Sequence, residues 1–521
     1  MYKQYIIPIA VYLVSLGLIY QTSMIGSYII GVDIHTEYYV ANQIIKNGWD
    51  WTWANNSNTS IVLGLFTPLL YKVGIPVVWQ FKAIYPAICA LAPVILYLAF
   101  KPKFGTIKAL IGTGFFIIMP MYSMEVVSMV KSQVAYVFMA LFVFFTLRVD
   151  NLKIKIPGLI LSAILAAISH YAVGVILLFY SFGMLIIILI QSMKTPKLLY
   201  KASALIIIPI IFTLYYANIS QGSILNTITA IPKNLLHVSQ DIASGNNTSL
   251  VSQYTEYTTS EQVKITTSSY LNYQSPLIRM AIGLDFNEVS KWGKVFRILQ
   301  ITTEILLVIG IIILLKRRKE FPKLYIAGIL SSFFILLACI FVPFFTTALS
   351  PTRFYAVTLM FIAPLISLTL DNKWTIAILI LYAIFTTGIM FELTKSTITD
   401  KMDIPYSIAL SNDRVKIVGE YNLDDIKVIE WLNNHNGVRP VYTDYLGTSL
   451  LLGYDSTGRN MYIEPKELDH YVLLTSWNVE NNKMVDGWFG GQRSFRELES
   501  INGEIIFQSG SSKIYYVEGV K

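Results

Sequence analysis

Long apolar runs recur along this chain and limit what it can fold into. A membrane-spanning helix needs roughly 20 predominantly apolar residues. Only 14% of the residues are charged and the mean hydropathy is +0.56, whereas soluble domains carry about 25% charged residues. The sequence therefore predicts an α-helical multi-pass membrane protein with about 11 transmembrane helices. They lie near residues 4–22, 79–100, 107–123, 133–148, 156–170, 172–191, 202–217, 296–315, 323–342, 352–370 and 373–391.

The basic residues between these runs predict the orientation of the chain. Cytoplasmic loops of membrane proteins are enriched in Lys and Arg. If the N-terminus is cytoplasmic, the inner loops such as 101–106, 148–155 and 316–322 are the basic ones. The net charge of +8 then reflects topology and not nucleic-acid binding. We expect a cell-membrane protein with a cytoplasmic N-terminus and an extracytoplasmic C-terminal end.

Composition divides the chain into two domains. Residues 1–391 form the predicted transmembrane domain, with long outer loops at 23–78 and 218–295. Residues 392–521 are less apolar, and they form a predicted extracytoplasmic α/β domain of ordinary domain size. Its expected elements are a helix at 421–435, strands at 438–443 and 471–475, and a closing hairpin at 505–508 and 514–517. The short apolar stretch 61–72 is predicted to be interfacial or re-entrant.

An acidic cluster follows the first apolar run. It contains Asp33, His35 and Glu37. In an extended segment all three side chains share a face, whereas in a helix only Asp33 and Glu37 do. Two adjacent carboxylates can hold a divalent cation such as Mn²⁺ or Mg²⁺, or one can deprotonate a hydroxyl group as a general base. A solvated acidic loop is the third interpretation.

Two further pairs of residues are candidates for the same site. Glu125 and Lys131 lie in a short outer connection, where they either face the acidic cluster or form a surface pair with extended side chains. His170 and Tyr171 lie in an outer turn between two apolar runs. His170 is either a site residue or a structural histidine bonded to a backbone carbonyl.

Two arginines are candidates for binding an anion. Arg353 precedes Phe354 at the outer end of a predicted span. The guanidinium group matches a phosphate with two parallel hydrogen bonds, so a lipid phosphate is a suitable ligand, and an Arg that reaches toward lipid headgroups is the alternative. Arg279 is a second, weaker candidate for lipid-phosphate binding.

The stretch Gly31-Val32-Asp33-Ile34-His35-Thr36-Glu37-Tyr38-Tyr39, together with Ile168-Ser169-His170-Tyr171, resembles an uncharacterised archaeal family of multi-pass membrane proteins related to the GT-C class of glycosyltransferases. The resemblance implies a GT-C-like fold that takes a sugar from a polyprenyl-phosphate or dolichyl-phosphate carrier and inverts its anomeric centre. It also implies that Asp33 is the base or a cation ligand and that Arg353 meets the lipid phosphate. The chain lacks the Trp-Trp-Asp-Tyr-Gly signature of oligosaccharyltransferases, which favours transfer of a single sugar.

These features together predict an enzyme with Asp33 and Glu37 as catalytic residues. His35, Glu125, Lys131, His170 and Tyr171 would support the substrates, and Asp33, His35 and Glu37 are the candidate metal ligands. The predicted partners are a lipid-linked sugar donor and an extracytoplasmic glycan, lipid or protein acceptor. The alternatives are a transporter or flippase of lipid-linked sugars, a polysaccharide polymerase or ligase, and a non-catalytic platform that presents the C-terminal domain.

Overall fold

The computed structural model of the protein is mostly helical. The described residues are 3–191, 196–226, 229, 276–342, 345–346, 349–395, 419–435, 439–454, 461–462, 469–489, 492–498 and 500–518. Most of the predicted outer loop 218–295 and the first part of the predicted C-terminal domain lie outside these residues.

The membrane part consists of α-helices joined by short 3₁₀ and π segments. Its α-helices are Lys3–Ser23, Asp33–Asn47, Thr67–Lys72, Val77–Trp79, Tyr85–Cys89, Leu91–Phe104, Thr106–Ile117, Pro120–Ser123, Val130–Leu147, Leu152–Ser169, Tyr171–Gln191, Pro196–Asn218, Pro276–Ala281, Lys291–Lys316, Lys323–Phe341, Pro351–Ile362, Asn372–Thr386 and Ile389–Leu393. The 3₁₀ segments are Asn56–Thr59, Glu125–Ser128, Ser220–Gly222, Arg318–Glu320 and Ala363–Leu368, and the π segments are Val62–Phe66 and Gln80–Ile84.

Among the described residues, eight helices are long and apolar enough to cross a membrane, or ten if each of two bent helix pairs is one span. The expected number of eleven is therefore not reached. The difference lies at the last expected span, where the helix Asn372–Thr386 has only 15 residues. Gly388 then adopts a left-handed conformation with φ 79°, which turns the chain before the short helix Ile389–Leu393.

The structure divides the expected spans 156–170 and 172–191 at His170. The helix Leu152–Ser169 ends there because His170 is extended, with φ −148° and ψ 117°. Tyr171 begins the next helix, Tyr171–Gln191. The extended residue separates two candidate spans, as the sequence predicted.

Close helix packing in the membrane part relies on glycine. The 3₁₀ segment Ala363–Leu368 packs against the helices Thr106–Ile117 and Lys291–Lys316. A Cβ atom on Gly112 would lie 2.5 Å from the Cα atom of Pro364. Small residues allow such close backbone approach where no hydrophobic force drives helices together in lipid.

A lysine fixes the chain between the first two helices. The Lys82 ammonium group donates hydrogen bonds to the carbonyl oxygens of Ile25, Gly26 and Tyr28, at 2.7–3.0 Å. The charge is buried, and these three acceptors match the three donors of an ammonium group. A Cβ atom on Gly26 would lie 2.9 Å from Oε1 of Glu420, so the bare glycine lets the Glu420 carboxylate come close to this turn.

The C-terminal part contains a five-stranded sheet. From one edge to the other, its strands are Met461–Tyr462 (β2), Val441–Tyr442 (β1), His470–Leu474 (β3), Ser512–Val517 (β7) and Glu504–Ser509 (β6). Strands β1 (Val441–Tyr442), β2 (Met461–Tyr462) and β3 (His470–Leu474) are parallel, and β7 pairs antiparallel with both β3 and β6. The closing hairpin and the helix at 421–435 occur where the sequence predicted them. The remaining elements are strands β4 (Lys483–Phe489), β5 (Gln492–Glu497), β6 (Glu504–Ser509) and β7 (Ser512–Val517) and helices Leu423–Asn434, Tyr445–Tyr454 and Ser476–Asn481.

One helix of the sheet domain packs closely against the membrane part. Helix Tyr445–Tyr454 packs against helix Asp33–Asn47, which we call the site helix because it carries the acidic cluster. Asp444 caps helix Tyr445–Tyr454, which we call the domain helix, by accepting a hydrogen bond from the backbone N–H of Gly447. It also accepts a hydrogen bond from the backbone N–H of Val485 in strand β4. The acidic cluster therefore lies between the membrane helices and the C-terminal domain.

We expect Gly112→Ala to lower the free energy of unfolding by about 1–3 kcal/mol, because the added methyl group overlaps Pro364. Gly114→Ala in the same helix is the matched control, since a Cβ atom there meets open space. Thermal unfolding of the two detergent-purified variants measures the difference. Equal midpoints would contradict the close packing of Pro364 on this helix.

Candidate functional site

The acidic cluster is helical. The site helix begins at Asp33, which places a carboxylate at the positive end of the helix dipole, and it ends before Gly48, with φ 85°. Asp33 and Glu37 lie one turn apart on one face, so the extended alternative is wrong. The sequence left this choice open because alternating polar residues fit both geometries at this length.

Asp33 meets Arg353 across 320 positions of sequence. One Nη atom of Arg353 lies 3.3 Å from Oδ2 of Asp33. The Asp33 side chain is 57% exposed, whereas that of Arg353 is 16% exposed. Pro351 begins the helix that carries Arg353, which places the guanidinium group in the first turn. Within the described residues the buried Nε atom of Arg353 has no hydrogen-bond partner.

Glu37 forms the second ion pair of the site helix, and this pair is buried. Its Oε1 atom lies 3.3 Å from the Lys131 ammonium group. Its Oε2 atom accepts a hydrogen bond of 2.7 Å from the backbone N–H of Val130, the first residue of the helix Val130–Leu147. Burial raises the pKa of Glu37, and the Lys131 charge opposes that rise. The carboxylate thus caps a neighbouring helix.

Lys131 and Glu125 are not paired with each other. Lys131 is buried, donates a hydrogen bond of 3.0 Å to Ser57 Oγ, and lies 5.7 Å from the centre of the Tyr171 ring. Glu125 accepts a hydrogen bond of 2.6 Å from Thr352 Oγ1, next to Arg353 in the chain. The interpretation as a surface pair is therefore wrong, because each side chain has its own partner at the site.

His170 reaches the same region from the turn between two spans. Its Nδ1 atom lies 3.0 Å from Ser132 Oγ, and its ring meets Tyr171 edge to face. The alternative with a backbone carbonyl partner is wrong, since its partner is a hydroxyl group. In the part of the chain that the structure describes, the buried Nε2 atom of His170 has no hydrogen-bond partner. The site thus contains two buried nitrogen atoms, His170 Nε2 and Arg353 Nε, that have no hydrogen-bond partner among the described residues.

The His35 side chain points away from those of Asp33 and Glu37. Its side chain is fully buried and contacts Tyr421 and Tyr454 of the C-terminal domain. A helix turns by about 100° per residue, so a residue between Asp33 and Glu37 faces elsewhere. No group of three or more His, Cys, Asp and Glu side chains able to hold a metal ion occurs among the described residues. Asp33, His35 and Glu37 therefore do not form the predicted three-ligand set in this structure.

Arg279 pairs with a different carboxylate. Its Nη atom lies 2.5 Å from Glu288 Oε1. Its helix, Pro276–Ala281, packs against the helix that begins at Pro351. The structure therefore places Arg279 beside the helix of Arg353 but in an ion pair of its own, and a lipid-phosphate role for it stays a prediction.

Several contributors to the site were not predicted from the sequence. Thr352, Ser57 and Met129 contact charged residues of the site, and Ser132 contacts His170. Met129 Sδ lies 3.0 Å from a guanidinium nitrogen of Arg353. Short polar side chains near apolar runs carry little signal, although Thr352 and Ser132 are sequence neighbours of Arg353 and Lys131. A fully buried bidentate pair, Arg297 with Asp285, was also missed.

Residues 158–372 match a family described as "Predicted membrane protein (DUF2206)". This match spans less than half of the chain and includes His170 and Arg353. The multiple apolar helices agree with that description, and the protein is a multi-pass membrane protein. No curated protein matches the sequence.

Among solved structures, the chain is similar to ArnT from Cupriavidus metallidurans. A crystal structure bound to undecaprenyl phosphate has 11% sequence identity and a TM-score of 0.37, and the match covers 99% of this chain and 98% of that chain. The apo state has 10% identity and a TM-score of 0.36, with the same coverage. TM-scores below 0.5 do not establish a shared fold.

The two ion pairs should differ in their contribution to stability. Lys131→Met leaves the Glu37 carboxylate buried without its cation, so we expect a loss of about 3–5 kcal/mol in the free energy of unfolding. Asp33→Asn removes a pair whose carboxylate is 57% exposed, so it should cost less than Lys131→Met does. Thermal or denaturant unfolding of the detergent-purified variants measures both.

The double variant Glu37→Gln with Lys131→Met is the control for that comparison. It removes both charges, so it should be more stable than Lys131→Met alone. A double variant as unstable as Lys131→Met would mean that packing and not charge compensation explains the loss.

Proposed function

We propose that this protein is a glycosyltransferase that takes a single sugar from a polyprenyl-phosphate or dolichyl-phosphate carrier and transfers it, with inversion, to an extracytoplasmic acceptor. The convergence of Asp33 and Arg353 supports this proposal most directly. A solvent-accessible carboxylate and a mostly buried guanidinium group meet at 3.3 Å, at the start of a candidate membrane span. These are the two groups that such a transfer needs.

Arg353 is suited to the phosphate of the donor. A guanidinium group binds phosphate oxygens in two parallel hydrogen bonds, and the Nε atom of Arg353 has no partner among the described residues. The neighbouring Nε2 atom of His170 is equally without one. A phosphate placed between them would compete with Asp33 for the guanidinium group, so binding of the donor would release the carboxylate for chemistry.

Asp33 is suited to act as the general base. In the proposed step, the acceptor hydroxyl group loses its proton to Asp33, and its oxygen bonds to the anomeric carbon. The bond between that carbon and the phosphate oxygen breaks, and the lipid phosphate leaves with the electron pair. Arg353 stabilises the negative charge on the leaving phosphate. Direct displacement by the acceptor oxygen inverts the anomeric centre.

The second carboxylate of the site helix has a structural part in this proposal. Glu37 is buried between Lys131 and the N-terminus of the helix Val130–Leu147. It fixes the site helix against the helix that carries Lys131 and Ser132. Glu125 similarly holds Thr352, and thereby the turn of Arg353. Catalysis thus rests on Asp33, while Glu37, Glu125, Lys131 and Tyr171 maintain the geometry.

A divalent cation, Mn²⁺ or Mg²⁺, stays a prediction. Asp33 is the exposed carboxylate and can offer oxygen ligands. Transfer measured with EDTA and then with each ion restored decides whether the reaction depends on one.

We expect Asp33→Asn to lower turnover by about 10²–10⁴-fold, the usual contribution of a general base, while the protein still folds. The assay follows labelled sugar from undecaprenyl-phosphate-linked and dolichyl-phosphate-linked donors to acceptors in a membrane extract, using purified protein. Release of the lipid phosphate gives a second readout that does not depend on knowing the product.

Glu320→Gln is the matched control, because Glu320 also pairs with an arginine, Arg317, in an exposed pair remote in sequence from the site. It should retain full turnover. Normal sugar transfer by Asp33→Asn would show that Asp33 is not the general base. Movement of labelled lipid across proteoliposomes without covalent transfer would favour a transporter, and addition of many sugars to one product would favour a polymerase.

A further inference from the structure

His35 has contacts that its expected role as a substrate or metal ligand does not explain. It lies between Asp33 and Glu37 in sequence, yet its side chain is fully buried on the side of the C-terminal domain. Its ring centre lies 5.0 Å from that of Tyr421 and 5.7 Å from that of Tyr454, both in edge-to-face geometry. His35 therefore belongs to the interface between the site helix and the C-terminal domain.

The other side of the His35 ring is fixed to the turn before the site helix. Nδ1 lies 2.6 Å from the carbonyl oxygen of Gly31. A carbonyl oxygen only accepts, so Nδ1 carries the proton. Burial lowers the pKa of His35 to about 4, and the ring is neutral at physiological pH. The hydrogen bond closes the loop that leads into the first turn, where Asp33 lies.

The C-terminal domain also contacts Gly31 in this turn and the His35 ring itself. The backbone N–H of Gly31 donates to the carbonyl oxygen of Gly419, at 3.4 Å. A Cβ atom on Gly453 would lie 2.7 Å from Cδ2 of His35, so only glycine lets the domain helix approach the ring this closely. Gly31, with φ +118°, is itself in a conformation that favours glycine. The imidazole is thus held between the turn and the domain.

We infer that His35 is a positioning residue that couples docking of the C-terminal domain to the placement of the Asp33 carboxylate. This inference rests on the proposed function for its catalytic readout only. With the domain docked, Tyr421, Tyr454 and Gly453 hold the ring, and the ring holds Gly31 at the start of the site helix. Loss of docking frees that turn, and Asp33 loses its orientation toward the acceptor hydroxyl group.

Two substitutions test separately the hydrogen bond of His35 to Gly31 and its ring contacts with the C-terminal domain. His35→Phe keeps a ring against Tyr421 and Tyr454 but removes the donor to Gly31. His35→Asn places an amide N–H near the position of Nδ1 but removes the ring. We expect both to lower kcat by up to about 10²-fold, the effect of a 1 Å misplacement of a reacting group. The donor KM should change little, because Arg353 is untouched.

Hydrogen exchange provides a readout that is independent of catalysis. Both variants should show faster exchange at the amides of residues 32–38. Gly453→Ala, introduced from the domain side, should produce the same exchange and the same loss in kcat without altering the site helix itself. Gly17→Ala is its control, since a Cβ atom at Gly17 meets nothing within 4 Å.

The outcomes distinguish this inference from the proposed function. Unchanged exchange and unchanged kcat in both His35 variants and in Gly453→Ala, with turnover still abolished by Asp33→Asn, would overturn the coupling and leave the proposed function standing. Faster exchange in all three variants, with no effect of Asp33→Asn on transfer, would support the coupling and refute the base. A fall in kcat with unchanged exchange would assign His35 to the chemistry, which also overturns the inference.

Discussion

The buried pair of Glu37 and Lys131 is the interaction on which the arrangement of the site depends. A charge removed from water costs several kcal/mol unless a partner and hydrogen bonds compensate it. Glu37 has both: an ammonium group at 3.3 Å and the N–H of Val130 at 2.7 Å. Since these partners begin one membrane helix, the pair fixes the site helix against the helix bundle.

One turn of helix separates a structural carboxylate from a reactive one. Glu37 is enclosed, whereas the Asp33 side chain is 57% exposed at the start of the same helix. The helix geometry provides both environments with residues of nearly the same chemistry. An enclosed carboxylate maintains position, and an exposed one beside a guanidinium group can exchange partners with a substrate. This division is why the proposed function assigns different roles to the two.

Positive loops and apolar runs predicted that Asp33 and Arg353 lie at the same membrane face, and the resemblance to GT-C glycosyltransferases implied that both act in one reaction. It did not allow the direction of His35 to be predicted, since that depends on whether residues 33–37 are helical or extended, and the short segment fits both. The sequence offered the acidic cluster as one neighbour of Glu125 and Lys131, but it did not give the individual partners. These are Thr352 for Glu125 and Glu37 for Lys131, and long-range polar contacts of this kind leave no periodic pattern.

The number of membrane spans was also only partly predictable from the sequence. Hydropathy identifies apolar runs but does not register where a glycine or an extended residue ends a helix. Gly388 shortens the helix that was expected to form the last span, and His170 divides two spans in the way the sequence suggested. Backbone conformation at single residues therefore decided both cases.

Lys82 has a consequence for how the two domains respond to their surroundings. Its ammonium group satisfies three carbonyl oxygens of one turn, and the Glu420 carboxylate of the C-terminal part approaches that turn over the bare Gly26. The positive charge of Lys82 therefore attracts the segment that leads into the sheet domain. Mobile ions screen a buried charge much less than an exposed one. Because the Lys82 ammonium group is buried, its attraction for this segment should persist at salt concentrations that abolish the attraction between surface charges.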